Sequence, residues 1–214
     1  MEKWRYRIRF QKTERMRYTG NLDLHLALER SFRRAKLPLL YSQGYNPRPR
    51  INLASALPLG ITSQEEIADI WLEEQIDEGK IKKALGEAFP PGLQILKVAM
   101  VDLQATTLQT RLLSAEYLIT FLEKFPELAD ALEKLGAQKE IVRERRGKSY
   151  DLRPLMEDWV LLPVDENGFQ KIRVQLSTRQ GATGRPEEIV EALGYAHQLT
   201  RIQRERLIFQ EEEK

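Results

Sequence analysis

The sequence contains no cysteine. Disulfides, thiolate metal sites, cysteine nucleophiles and a self-held iron–sulfur cluster of the usual thiolate type are therefore excluded. Histidine occurs twice, as His25 and His197, too few for a histidine-rich metal centre. No apolar run approaches the ~20 residues of a membrane span. The start Met-Glu-Lys-Trp-Arg lacks the apolar stretch of a secretory leader. These absences lead us to expect a cytoplasmic protein with no cofactor, no metal and no membrane contact. What is present is enough for a core. Of the 214 residues 42% are apolar, and the 31% that are charged carry both signs, which argues against a disordered chain. The length fits one large domain or two small ones.

Charge is unevenly placed. Residues 1–50 hold thirteen Lys/Arg and four Asp/Glu, a local net of +9 in a chain whose total is +2. Residues 51–138 hold seven basic and fourteen acidic side chains, and residues 139–214 fourteen of each. A concentration of this kind points to an anionic partner, with RNA the first candidate.

Periodicity gives the organisation. From Trp4 to Phe10 apolar residues alternate with Arg5, Arg7 and Arg9, the pattern of a strand with one buried face. Leu24, Ala27, Leu28, Ser31, Phe32 and Ala35 form the inner stripe of a helix over 22–36, which Pro38 stops. Strands follow over 51–57 and 67–74, then a helix over 78–89 capped by Asp77, then a strand over 93–101. This order, βαββαβ, is the ferredoxin-like unit. A linker is placed at 102–114, after which the order recurs. Strands are expected over 115–122, 159–164, 169–177 and 199–209. Helices are expected over 126–135 and from Pro186. Asp165-Glu166-Asn167-Gly168 reads as a hairpin turn, and 139–145 as extended chain followed by an insertion at 146–157. The expectation is an α+β protein with two tandem ferredoxin-like domains, 1–103 and 115–214.

Four constellations carry chemistry. A ferredoxin-like sheet is covered by helices on one face, so Arg5, Arg7 and Arg9 would lie on an open face, with Lys12, Arg15 and Arg17 just beyond. Guanidinium groups there can pair with phosphates or stack on bases, although a solvated sheet face is the plainer reading. The loop Tyr41-Ser42-Gln43-Gly44-Tyr45-Asn46-Pro47-Arg48-Pro49-Arg50 combines stacking planes, stiffening prolines and cations, the ingredients of single-strand RNA recognition. Arg33 and Arg34 end the preceding helix. Thr178 to Pro186, with Arg179, Gly181, Gly184 and Arg185, is a candidate anion-binding loop, but it lacks a P-loop ending and a strand-to-helix turn explains it as well. Arg143 to Pro154 reads as a second basic contact, although its mixed signs fit a solvated hairpin at least as well. His25 and His197 have no evident acid or nucleophile beside them, so general acid–base catalysis is not indicated. Glu65-Glu66 and Glu73-Glu74 read as solvated edges.

The strings Arg5 to Lys12, Asn21-Leu22-Asp23-Leu24, Glu29-Arg30, Arg33-Arg34, Tyr41 to Pro49 and Ala54-Ser55-Ala56-Leu57-Pro58-Leu59-Gly60 resemble one family, the radical-SAM-linked domain of unknown function. The resemblance is densest over 4–75 and continues through Asp151-Leu152-Arg153-Pro154 and Gly184-Arg185-Pro186-Glu187. Relatives often carry a histidine where this chain has Asn21. The resemblance implies a radical SAM enzyme as partner, which would supply the cluster and SAM chemistry. The tandem order also resembles CRISPR repeat-processing endoribonucleases, at the level of fold only.

These readings converge on a non-catalytic RNA-binding accessory module that acts with a radical SAM enzyme on tRNA or rRNA. Arg5, Arg7, Arg9, Arg15, Arg17, Arg33 and Arg34 would contact backbone. Tyr41, Tyr45, Arg48 and Arg50 would grip an unpaired segment. The alternatives are a protein-interaction module that docks on the enzyme or ribosome, and a metal-independent endoribonuclease.

Overall fold

The computed structural model describes residues 3–145 and 147–211. The chain divides into two compact units, the first reaching Leu112 and the second spanning Leu113–Gln210. The fold is mixed α+β, with mostly antiparallel pairing and five α-helices among the described residues.

The first unit contains β1 (Trp4–Lys12), α1 (Asn21–Arg34), β2 (Ile51–Leu53), β3 (Ile61–Leu72), α2 (Glu78–Ala88), β4 (Leu93–Val101) and α3 (Leu108–Arg111). β3 pairs with β2 on one side and β1 on the other, and β1 also pairs with β4, all antiparallel. The sheet order is therefore β2-β3-β1-β4. Alternation along β1 sends Tyr6, Ile8 and Phe10 to one face. There they are buried with Leu24, Leu28 and Phe32 of α1 and Ile81 and Leu85 of α2. Asp77 caps α2 by accepting the Lys80 N–H at 3.0 Å, as expected. α1 stops at Arg34, two residues short of the sequence expectation. Lys36 adopts φ +54°, and the Leu37 N–H reaches back to the Phe32 carbonyl at 3.3 Å. A lysine here fills a left-handed position that glycine usually takes.

The second unit contains β5 (Leu112–Phe121), α4 (Leu128–Ala137), β6 (Val142–Arg145), β7 (Lys148–Asp151), β8 (Met156–Leu162), β9 (Lys171–Arg179), β10 (Ala182–Thr183), α5 (Pro186–Ala192) and β11 (Thr200–Phe209). Its strand order is β8-β9-β5-β11, with β10 pairing the end of β9. β6 and β7 form a separate two-stranded hairpin. The insertion expected at 146–157 is this hairpin, displaced toward the N-terminus. Ala115, Tyr117, Ile119 and Phe121 alternate into a core with Leu128, Leu132 and Leu135 of α4 and Ile172, Val174 and Leu176 of β9.

The helix expected to end at 135 continues through Gly136, which lies inside α4, and the role of this glycine is clearance. A Cβ there would stand 2.5 Å from the Trp159 ring. Gly86 in α2 differs, because a Cβ there meets only Ile95 at 3.7 Å. Gly136→Ala should therefore lose about 1–3 kcal/mol to overpacking, whereas Gly86→Ala should gain up to about 1 kcal/mol from helix propensity. Urea denaturation of the two variants, side by side, checks both signs.

Candidate nucleic-acid interface

The expectation of an open arginine face on the first sheet is corrected by two observations. The first is a carboxylate. Asp69 of β3 is 0% exposed and stands opposite Arg7 in the ladder. Arg5 donates to its Oδ2 through Nη2 at 2.6 Å and Nε at 3.0 Å, and Arg7 to Oδ1 through Nε at 2.9 Å and Oδ2 through Nη2 at 3.1 Å. Arg9 pairs with Glu65 at 2.5 Å. The second is that residues 102–111 of the expected 102–114 linker belong to the first unit and pack within it. Arg5 Nη1 donates to the Ala105 carbonyl and Nη2 to the Thr106 carbonyl. Gln109 of α3 binds the Asn52 amide and the Leu53 carbonyl, and Leu108 is buried. Arg5 ends 2% exposed and serves as a structural cation.

Arg17 is likewise buried, donating Nε–H to the Gly60 carbonyl at 2.8 Å. Lys12 is also buried. Its ammonium donates to the carbonyls of Thr19 and Ile61 at 2.9 Å each and of Arg17 at 3.3 Å. Glu66, read as part of a solvated edge, is buried as well. Arg15 is exposed on the rim of an open hollow of about 660 Å³ that Phe89 to Gln94 complete.

The other half of the expected site, at the end of α1 and on the loop after it, remains accessible. Arg33 and Arg34 are exposed at the end of α1. Arg33 pairs with Glu29 at 2.7 Å and stacks over the Tyr41 ring at 5.8 Å. The 41–50 loop is a closed arm. The Arg50 N–H bonds the Leu40 carbonyl, the Ser42 N–H bonds the Arg48 carbonyl, each at 2.8 Å, and the Arg48 N–H bonds Ser42 Oγ. Residues 41–48 are all exposed, and Tyr45 at the tip is 99% exposed. Arg30, Arg34, Lys36 and Arg48 make no ion pair with any described residue. Arg50 turns back instead. Its guanidinium lies 4.7 Å from the Trp71 ring, while Arg5 lies over the same ring at 5.3 Å. Trp71 also holds the arm's base, through its carbonyl to the Leu40 N–H and its N–H to the Arg50 carbonyl. The expected residues therefore separate into two sets. Arg5, Arg7 and Arg9 lie on the sheet face opposite the helices, whereas Arg33, Arg34, Tyr41, Tyr45 and Arg48 belong to α1 and the arm.

Sequence reasoning missed Asp69 and Trp71. The available signal was a lone carboxylate inside the apolar run Ile67 to Leu72, which in a buried strand calls for a cationic partner.

In the second unit, both arginines of the candidate anion-binding loop are paired, Arg185 with Glu187 at 3.9 Å. The Arg179–Gly181–Gly184–Arg185 loop is the tight β9–β10 hairpin. Arg179 pairs with Glu157 at 2.9 Å, and a Cβ at Gly184 would stand 3.3 Å from Leu155 and from Leu176. α5 opens with Glu187 and Glu188, which repel an anion. The basic hairpin read at 143–154 carries Arg145, bound to Glu188 at 2.8 Å, with Tyr150 donating to the same carboxylate. Arg146 of that stretch lies outside the described residues. His197, expected to be alone, sits 3.0 Å from Glu191. No group of three or more His, Asp or Glu capable of holding a metal occurs among the described residues, and no described helix is long and apolar enough to cross a membrane.

A family model matches residues 5–186, under the description "Uncharacterized protein conserved in bacteria (DUF2344)". The chain belongs to this family. No curated protein matches the chain. Among solved structures, this chain resembles a chain of the crystal structure of a Cbf5–Nop10–Gar1 complex, with a TM-score of 0.52 and 11% identity over 97% of this chain. A second similarity, TM-score 0.47 and 13% identity over 97% of this chain, is to the archaeal box H/ACA sRNP Nop10–Cbf5 complex. The chain spans about half of each, 50% and 49%. At these identities the likeness concerns fold alone.

Two outcomes follow from the geometry. Asp69→Ala strands two guanidinium groups, one fully enclosed, and should cost about 3–5 kcal/mol. Arg9→Ala removes a half-exposed pair and should cost less than about 1 kcal/mol. Denaturant midpoints at matched m-values measure both. Burial, then the hydrogen bond to Glu188 and its charge, push the Tyr150 hydroxyl up to about 12 from an ordinary 10.0. Between those values the unfolded chain loses this proton while the folded chain keeps it. The contribution is thus complete below pH 10 and fades as pH rises toward 12. Tyr150→Phe should flatten that alkaline decline, measured as the thermal midpoint against pH.

Proposed function

We propose that this protein is a non-catalytic RNA-binding module whose contact surface is the C-terminal end of α1 and the 41–48 arm. The observation that carries the reading is Tyr45, 99% exposed at the tip of a hydrogen-bonded arm. Arg48 of the same arm, and Arg34 and Lys36 at the end of α1, make no ion pair with any described residue. A fully solvated aromatic on an ordered support gains chiefly by stacking on another flat surface, and Arg34, Lys36 and Arg48 supply charge for phosphates. The basic excess of residues 1–50 supports the same reading in reduced form, because Arg5, Arg7 and Arg17 are committed internally. The strand orders β2-β3-β1-β4 and β8-β9-β5-β11 support reading each unit as ferredoxin-like, the second with the β6–β7 hairpin inserted. The motif resemblance of the first seventy-five residues supports a radical SAM enzyme as working partner, with tRNA or rRNA as the molecule they share.

Binding of total cellular RNA, followed by filter retention, should fall with salt at a slope of about −0.7 per phosphate contact, near −3 for four cations. Tyr45→Ala should weaken it by about 1–3 kcal/mol, and Arg48→Glu should weaken it further. Arg9→Ala should leave it unchanged. Salt-insensitive binding, or none, would overturn the reading.

A further inference from the structure

α1 has an exposed outer stripe that the core does not explain. Leu22 is 79% exposed and Leu26 42% exposed. With Glu29, Arg30 and Arg33 they recur at i, i+4, i+7, i+8 and i+11, one line along the helix. The line has an aromatic at each end. Tyr18, just before the helix, is 75% exposed with the Arg17 guanidinium 5.4 Å from its ring centre. Tyr41, just after it, has Arg33 over its ring at 5.8 Å. Each ring thus has a guanidinium against it and remains exposed, Tyr18 at 75% and Tyr41 at 37%. Exposed leucines and tyrosines on one line are more apolar than a helix surface facing only water requires. The line turns basic at Arg30 and Arg33, and Arg34 and Lys36 follow at the helix end.

We infer that this stripe is the path of single-stranded RNA, running from Tyr18 along α1 to the Tyr45 arm. The inference rests on the RNA-binding reading and adds the ligand's class. Charge complementarity argues for a polyanion, since Arg30, Arg34, Lys36 and Arg48 make no ion pair with any described residue and only Glu29 and Asp23 oppose them. The apolar part of the stripe argues for unpaired strands. A duplex offers phosphates and hydroxyls at its surface and hides its bases, so Tyr18, Leu22 and Tyr45 would meet nothing they can stack on or cover. An unpaired strand offers base faces to every one of them. The fourteen residues of α1 span about 21 Å, which nucleotides stacked at about 3.4 Å would cover with about six.

The test is fluorescence anisotropy with labelled oligouridylates of about three, six, nine and twelve nucleotides, together with a twelve-pair RNA duplex. Three proteins are compared: the unaltered chain, the stripe variant Tyr18→Ala with Leu22→Ser, and the arm variant Tyr45→Ala with Arg48→Glu. All changed side chains are solvent-exposed, and circular dichroism verifies folding. For the unaltered chain, affinity should climb with length to about six nucleotides, then level off and exceed that for the duplex. The stripe variant should lose roughly tenfold on the nine-nucleotide probe and little on the shortest. The arm variant should weaken on all. Flat length dependence, tighter duplex binding, or a stripe variant indistinguishable from the unaltered chain while the arm variant fails, would overturn the path and leave the RNA reading standing. Binding of no RNA by the unaltered chain would overturn both, and would assign the leucines to a protein contact.

Discussion

One buried carboxylate organises the first unit. Asp69 sits in the middle of a strand that is otherwise apolar, 0% exposed, and accepts hydrogen bonds from two arginines of the neighbouring strand. An isolated carboxylate could not be ionised there, and an isolated guanidinium could not be enclosed. Each makes the other admissible. The pair in turn fixes the 102–111 segment, because the donors of Arg5 that do not meet Asp69 bind the carbonyls of Ala105 and Thr106. A charge pair of this kind adds little net stability against an apolar core of the same shape, but its directionality selects one arrangement of strand, partner strand and covering segment.

From Arg5 the same arrangement reaches the arm. The Arg5 and Arg50 guanidinium groups both lie over the Trp71 ring, and the Trp71 backbone binds Leu40 and Arg50 on either side of the arm's base. The exposed tip with Tyr45 therefore stands on an ordered foundation rather than on a free loop. The immobilisation that binding usually demands of a loop is already largely met in the unbound protein. Arginines counted together in the sequence thus do two kinds of work. Some hold the platform, and others face the solvent from it.

The first unit's fold was largely legible in the sequence because its signals are local. Alternation from Trp4 to Phe10, the Leu24–Leu28–Phe32 spacing and the Asp77 cap each specify an element without reference to distant residues. β2 was overextended, since Ala54 and Leu57 are apolar and buried but lie outside the strand. β3 was begun six residues late, because Thr62 to Glu66 is polar, although Thr62, Ser63 and Glu66 are buried. The candidate site was legible only in part. A run such as Arg5-Tyr6-Arg7-Ile8-Arg9 reveals which face the cations occupy. It does not reveal that a residue sixty-four positions away in the chain will meet them, nor that a polar segment will fold over them. Local charge density measures potential contacts with solvent only after long-range partners have been subtracted. The arm was legible because Tyr-Gly-Tyr-Pro-Arg composition acts locally, and its own hydrogen bonds close it.

The lysine that ends β1 has a different kind of consequence. Lys12 is wholly enclosed, with its ammonium shared among the carbonyls of Arg17, Thr19 and Ile61. An amine-directed reagent cannot reach it while those contacts hold. Acylation of this one side chain must wait for the corner between β1 and α1 to open, and its rate relative to a surface lysine therefore reads the free energy of that opening. The fold carries a built-in clock for its own local breathing, positioned at the root of the helix that bears the proposed contact surface.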